Sequence, residues 1–161
     1  MNLADLHKTM GDAGPIGGGA IGFSQEKCKK WSPQIAKEST NYRELLTWAL
    51  QVDWMKQDIS HLTSIYQTDS VVAAAYIRKI YGKSQKLARL SAKTWKKLLK
   101  MNAHQIPIVV DQSTIRPADI LSRSFSYKNC HLSPTGIQWI QKHFKVQDVF
   151  FPFNYKHCFL E

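Results

Sequence analysis

Four acidic residues stand where a carboxylate could do chemistry: Asp12 in GDAG, Glu44 in YREL, Asp69 in QTDS and Asp119 in PADI. Each alone has a plainer explanation. Asp12 precedes small residues, where an Asp commonly makes a turn by accepting from nearby backbone N–H groups. Glu44 lies three residues after Asn41 and could complete a capping arrangement. Asp69 falls between an extended segment and a helical one, as an N-cap does. Asp119 follows Pro117 in the first turn of a helix, where the dipole favours negative charge. Together they imply more. Carboxylates gathered at one site repel one another and resist ionisation, at a cost that grows as water is excluded. A divalent cation removes that cost, and hard oxygen ligands without His or Cys select Mg²⁺ or Mn²⁺ over zinc.

The elements that must position these acids can be read from periodicity and breakers. From Leu3 to about Ser32 the chain is strand-like: a run into Asp12, a glycine-rich turn over Gly14 to Gly19, then AIGF and the stretch from Cys28 to Trp31. After Pro33 the pattern turns helical, with Asn41 as expected N-cap, Leu45, Trp48, Ala49 and Val52 along one stripe, and an end near Ser60. Leu62 to Thr68 reads as a buried strand running into Asp69 and the helical VVAAAYIRKIYG, closed by Gly82. A further helix spans Ser84 to Met101, a strand Ala103 to Val110, and Pro117 opens a last short helix. The order βββ-α-β-α-α-β-α predicts an α/β domain. It sets Asp12, Asp69 and Asp119 at the ends of neighbouring elements, with Glu44 beside the buried stripe of the first helix.

At 161 residues and 43% hydrophobic content, one globular domain with a tail is expected. Lys and Arg number 22 against 12 acidic residues, a formal charge of +10 that favours a polyanionic partner such as nucleic acid. The helix from Ser84 concentrates that charge. At 100° per residue, Lys86, Arg89, Lys93, Lys96, Lys97 and Lys100 share about a third of its circumference. Leu87, Leu90, Thr94, Leu98 and Met101 lie beside them, so one face is basic and the other packs inward. The plainer reading of the basic face is a solvated helix surface. His104 and the tryptophans Trp31, Trp48, Trp54 and Trp95 read as structural residues. Cys28, Cys130 and Cys158 form no C-x-x-C pair and read as reduced thiols. Without a signal-like N-terminus or an apolar run of about 18 residues, a soluble intracellular chain with no membrane partner is expected.

The local strings carry a resemblance. TMGDAGPIGGGAI, STNYRELLTWAL, IYQTDSVVAAAYIRK and AHQIPIVVDQSTIRPADILSR occur in that order. They resemble the four motifs of the RNase H domains that follow reverse transcriptase in retroelements. The likeness is nearest to tyrosine-recombinase (DIRS-like) elements and covers about Met10 to Ser124. In those elements a stretch similar to LSPTGIQWIQKHF and DVFFPFN follows the domain, so residues 1–125 are expected to form an RNase H-like domain and 126–161 a C-terminal extension, with a helix over Pro134 to Phe144. The resemblance implies a mixed five-stranded sheet, three antiparallel strands then two parallel, flanked by helices. It implies a ribonuclease H that cleaves the RNA strand of RNA–DNA hybrids, leaves 5′-phosphates and works with a reverse transcriptase domain of the same polyprotein. It further implies two Mg²⁺ or Mn²⁺ ions about 4 Å apart, with Asp12 bridging, Asp69 and Glu44 on one ion and Asp119 on the other. Phosphates would be tracked by Lys86, Arg89, Lys93, Lys96, Lys97, Lys100 and Arg116. Arg116 stands where many relatives carry Asn, so the alternative is a noncatalytic domain of the same fold that binds nucleic acid or scaffolds a polymerase. A DNA nuclease of transposase type shares such acid clusters but lacks the TDS and PADILSR strings.

Overall fold

Three extended runs open the chain and pair as a meander: β1 (His7–Ala13), β2 (Gly17–Gly22) and β3 (Gln25–Lys30). A computed structural model describes residues 2–124, together with the single residue Lys142. β2 is antiparallel to both neighbours, with Asp12 opposite Gly19 and Gly19 opposite Cys28. The turn between β1 and β2 is shorter than the expected Gly14 to Gly19, because Gly17, Gly18 and Gly19 belong to β2 itself. Packing explains why glycines stand in that strand. A Cβ on Gly18 would sit 2.6 Å from the Trp31 ring on one face, and one on Gly19 would sit 2.6 Å from Leu121 Cβ on the other.

The helical pattern after Pro33 resolves into α1 (Pro33–Ala36), α2 (Thr40–Trp54) and α3 (Lys56–Ile59). Ser39, not Asn41, caps α2: its side chain accepts from the Tyr42 N–H at 3.1 Å. Asn41 is already inside the helix, so Glu44 lies too far along to complete a capping box. Leu45, Trp48, Ala49 and Val52 are all buried as the stripe predicts. The single helix expected to Ser60 breaks at Met55 (φ −112°, ψ 18°), and the bend brings both Met55 and Ile59 into the core.

β4 (Thr63–Thr68) lies parallel to β1, and β5 (His104–Val109) parallel to β4, giving the sheet order β3-β2-β1-β4-β5. This is the mixed sheet expected from the sequence, flanked by helices. Two helices form the crossover from β4 to β5. The first, α4 (Val71–Lys79), is capped by Ser70, which accepts from the Ala73 N–H, so Asp69 is not a cap. It closes at Ile80 in the left-handed region (φ 64°), not at Gly82. Gly82 serves a neighbouring purpose, since a Cβ there would strike the Tyr76 ring, whose hydroxyl accepts from the Ser84 N–H at 2.9 Å. The second, α5 (Gln85–Lys100), buries Leu87, Ser91, Thr94 and Leu98.

The main core lies between one sheet face and α2, α4 and α5, around Trp48, Tyr66, Ile77 and Leu98. Each such side chain contributes roughly 2–3 kcal/mol on burial. A buried polar chain crosses it, with Trp48 Nε1 donating to Gln105 Oε1 and Gln105 Nε2 donating to Ser64 Oγ. Helix α6 (Arg116–Ser122), started by Pro117, packs on β1, β2 and β3. None of the described helices is long and apolar enough to cross a membrane. The extension 126–161, with its expected helix over Pro134 to Phe144, Cys130 and Cys158, lies outside the described residues apart from Lys142.

Candidate metal centre

Parallel pairing of β1 with β4 brings two of the acids together. The last paired residues are Met10 and Gln67, and two residues beyond that pair each chain segment carries an aspartate, Asp12 and Asp69. Glu44 reaches the same end from α2, which packs on β1, and its Oε1 accepts from the Ala13 N–H at 3.3 Å. One ligand oxygen from each of Asp12, Glu44 and Asp69 lies within 4.8 Å of the others. Glu38, the neighbouring glutamate, is turned away and pairs with Lys86.

Asp119 stands beside this group on α6 and is linked to it by a hydrogen bond with Asp12. On its other side Arg123 Nε donates to Asp119 Oδ1 at 2.9 Å. All four predicted acids therefore meet at one end of the sheet, three tightly and the fourth at their flank. Three of them do not take the commoner role each could have had: Asp12 is a strand residue, and Ser39 and Ser70 do the capping expected near Glu44 and of Asp69, while Asp119 does stand in the first turn of α6 and is also engaged with side chains of the cluster.

The electrostatics are those of crowded, half-dry carboxylates. Burial pushes Asp12 from 3.8 up to about 8, helped by its hydrogen bond to Asp119 and by the charges of Asp69 and Asp119. Burial likewise drives Glu44 from 4.5 to about 9, with the Asp12 and Asp69 charges adding to it. Asp119 behaves oppositely. Burial acts to raise it, but the hydrogen bonds from Arg123 and Asp12 outweigh that and hold it below 3.8. Beneath the acids, Tyr66 is fully buried and its hydroxyl has no partner among the described residues; burial first, then Glu44, Asp12 and Asp69, push its ionisation well above 10. Glu44 Oε2 is also buried, with no N–H or hydroxyl donor among the described residues, and the Glu44 carboxyl otherwise meets only that of Asp12. An orphaned carboxylate oxygen among protonated acids fits a hard divalent cation, which would satisfy the oxygen and displace the protons.

The cations read from the sequence lie elsewhere. Arg89, Lys93, Lys96 and Lys100 are exposed on α5 and have no acidic partner among the described residues. Lys86 sits over the Tyr42 ring beside Glu38, and Lys97 pairs with Asp53 at 2.8 Å. Arg116 is exposed at the start of α6, and the cation that reaches the acids is Arg123. Trp31 and Trp48 are buried, Trp54 and Trp95 pack on the core, and His104 meets the Trp95 ring at a tilt of 45°, as the structural reading of these residues predicts.

No protein-family model matches the chain, and no curated protein sequence does. Solved structures do. RNase H1 from the halophilic archaeon Halobacterium salinarum NRC-1 is similar over 73% of this chain and 95% of its own, with a TM-score of 0.61 at 13% identity. The fold is that of ribonuclease H. LC11-RNase H1, isolated from compost by a metagenomic approach, is similar over 72% of this chain and 90% of its own, with a TM-score of 0.57 at 14% identity. The same enzyme in complex with an RNA/DNA hybrid gives a TM-score of 0.58 at 14% identity, over 72% of this chain and 91% of its own. Within the RNase H fold, sequence reasoning missed Arg123 and Tyr66. The i,i+4 spacing of Asp119 and Arg123 was a usable signal for the first; nothing local marked the second.

Proposed function

We propose that the chain is a divalent-metal-dependent endoribonuclease that cleaves the RNA strand of RNA–DNA hybrids during reverse transcription. The observation that carries this reading is the convergence of Asp12, Glu44 and Asp69, with Asp119 at their side, on an RNase H fold. Two further supports are independent of that geometry: LC11-RNase H1 has been solved with an RNA/DNA hybrid, and the four retroelement-like strings run in order along the sequence.

Asp12, Glu44, Asp69 and Asp119 would hold two ions, Mg²⁺ or Mn²⁺, with Asp12 central to both. Bound there, the ions would supply an activated water as nucleophile and neutralise the oxygen that leaves the phosphodiester. The chain's own residues then do the positioning. The Ala13 N–H fixes one oxygen of Glu44 and leaves Oε2 for a ligand bond. Tyr66, kept neutral, forms a dry floor that strengthens the electrostatics above it. Arg89, Lys93, Lys96 and Lys100, with Arg116, track the phosphates; Lys86 and Lys97 join them while shared with Glu38 and Asp53. Hybrid is distinguished from DNA by its 2′-hydroxyls and groove shape, with little base reading. Cleavage leaves a 5′-phosphate on the downstream fragment. The likeness of the motif strings and of the stretch over 126–161 supports a reading in which the domain belongs to a DIRS-like polyprotein, beside a reverse transcriptase domain, with 126–161 as a separate extension.

The test is cleavage of matched RNA–DNA, RNA–RNA and DNA–DNA duplexes with Mg²⁺ or Mn²⁺. Cutting of the RNA strand of the hybrid alone, with 5′-phosphate ends, is expected. Cutting of the DNA duplex would move the chain to another nuclease of this fold.

A further inference from the structure

We infer that Arg123 is a positioning residue of the acid site, holding Asp119 in the orientation in which its carboxylate meets Asp12. The inference deepens the nuclease reading and rests on it for the identity of the reaction.

Asp119 needs such a partner. It lies in a seven-residue helix whose start has no side-chain cap, and its side chain is 20% exposed. Its ligand oxygens fall outside the trio whose atoms lie within 4.8 Å of one another, so only its orientation joins it to Asp12. The helix backbone is fixed by Ala118 and Leu121, both buried against β2. Rotation about the Asp119 side chain is not fixed by that packing.

Arg123 supplies the stronger restraint from a well-held base, with Gln112 as a second, weaker hydrogen-bond partner of the Asp119 carboxylate. Its backbone N–H donates to the Ile120 and Leu121 carbonyls, and the turn is tightened by Ser122 Oγ and Ser124 Oγ donating to Asp119 O and Leu121 O, each at 2.7 Å. Its aliphatic stem lies by Gly14, in the β1–β2 turn just after Asp12: a Cβ on Gly14 would sit 3.7 Å from Arg123 Cγ. The guanidinium is thus braced between the turn that follows one acid and the carboxylate of another. A surface i,i+4 pair would contribute a little stability and nothing else. A guanidinium reaching for substrate phosphate would leave Asp119 unengaged.

Partners of metal ligands typically change metal affinity by 10–100-fold when removed. Metal titration by calorimetry without nucleic acid, on the wild type and on Arg123→Ala, Arg123→Gln and Arg123→Lys, reads the effect directly. Arg123→Ala should weaken the weaker-bound ion by about 10-fold, with Gln, which keeps an N–H donor, recovering part of it. In turnover, kcat should fall while KM for hybrid is unchanged. Circular dichroism and thermal melting confirm folding of each variant. Unchanged metal affinity with a raised KM would assign Arg123 to phosphate binding and overturn the inference. Tighter metal binding would make it a competitor and overturn it equally, as would a lowered melting temperature with every other reading unchanged. A wild type that binds ions yet cleaves nothing would overturn the nuclease reading alone; one that binds no ion would overturn both.

Discussion

The acid end of the sheet and the basic face of α5 carry opposite charge under opposite physical conditions. At the acid end, Asp12 and Glu44 are 3% and 6% exposed, so each charge is felt by its neighbours at low dielectric and two of the acids hold their protons to about pH 8 and 9. On α5, Arg89, Lys93, Lys96 and Lys100 stand in water, screened within about 10 Å at ordinary salt. The first region stores repulsion that a divalent cation would relieve. The second stores almost none and acts additively. Under the proposed function, site chemistry would belong to the buried region, while affinity and its salt dependence would belong to the exposed one.

The sharpest way to separate them is Asp12→Asn, which removes the ligand proposed to be shared and leaves α5 untouched. Hydrolysis should fall by at least about 10²–10³-fold, with hybrid affinity within a factor of about 2 of the wild type at fixed salt. Next in size is the pH response of the chelator-treated protein. Asp12 and Glu44 have folded values raised from 3.8 and 4.5 to about 8 and 9, so between roughly pH 4 and 9 the folded state binds protons that the unfolded state has lost. Stability is then full below about pH 4 as far as these groups are concerned and falls as pH rises through 8 and 9. Thermal melts should show that decline, and saturating Mg²⁺ or Glu44→Gln should flatten it; a melting temperature that climbs from pH 6 to 9 would refute the account of the pocket.

Weakening the exposed region should give a smaller and differently shaped effect. Lys93→Gln with Lys96→Gln should lower the slope of log affinity against log salt by about 2 for hybrid binding, leaving single-turnover cleavage of saturated hybrid unchanged. The smallest effect is expected of Lys97→Gln. It breaks a pair with Asp53 in which both side chains are more than two-fifths exposed, so denaturant unfolding should register less than about 1 kcal/mol.

The sequence made the order of elements and the four acids legible because both depend on local signals: a buried stripe on α2, Pro117 at the start of α6, and strings around each acid. Boundaries were less legible where two residues compete for one task. Ser39 and Asn41 can both cap, and the hydroxyl two residues earlier does so; the same contest at α4 goes to Ser70 over Asp69. The glycines of β2 looked like a turn because their reason, the close approach of Trp31 and Leu121, comes from residues far along the chain. Arg123 was hidden for the same reason. Its spacing from Asp119 was visible, but its place between Gly14 and the acids exists only once α6 lies across β1 and β2.

Whether the gathered carboxylates form a metal-dependent hydrolytic site is best decided at Asp69, which the fold needs neither as a cap nor as a turn former. Wild type and Asp69→Asn should be given hybrid with Mg²⁺ or Mn²⁺, with binding and single-turnover cleavage followed in the same samples. Both should bind hybrid, only the wild type should cut its RNA strand, and a chelator should stop the cutting. A wild type inert with either ion, or cleavage that survives in Asp69→Asn, would contradict metal-dependent hydrolysis at these carboxylates.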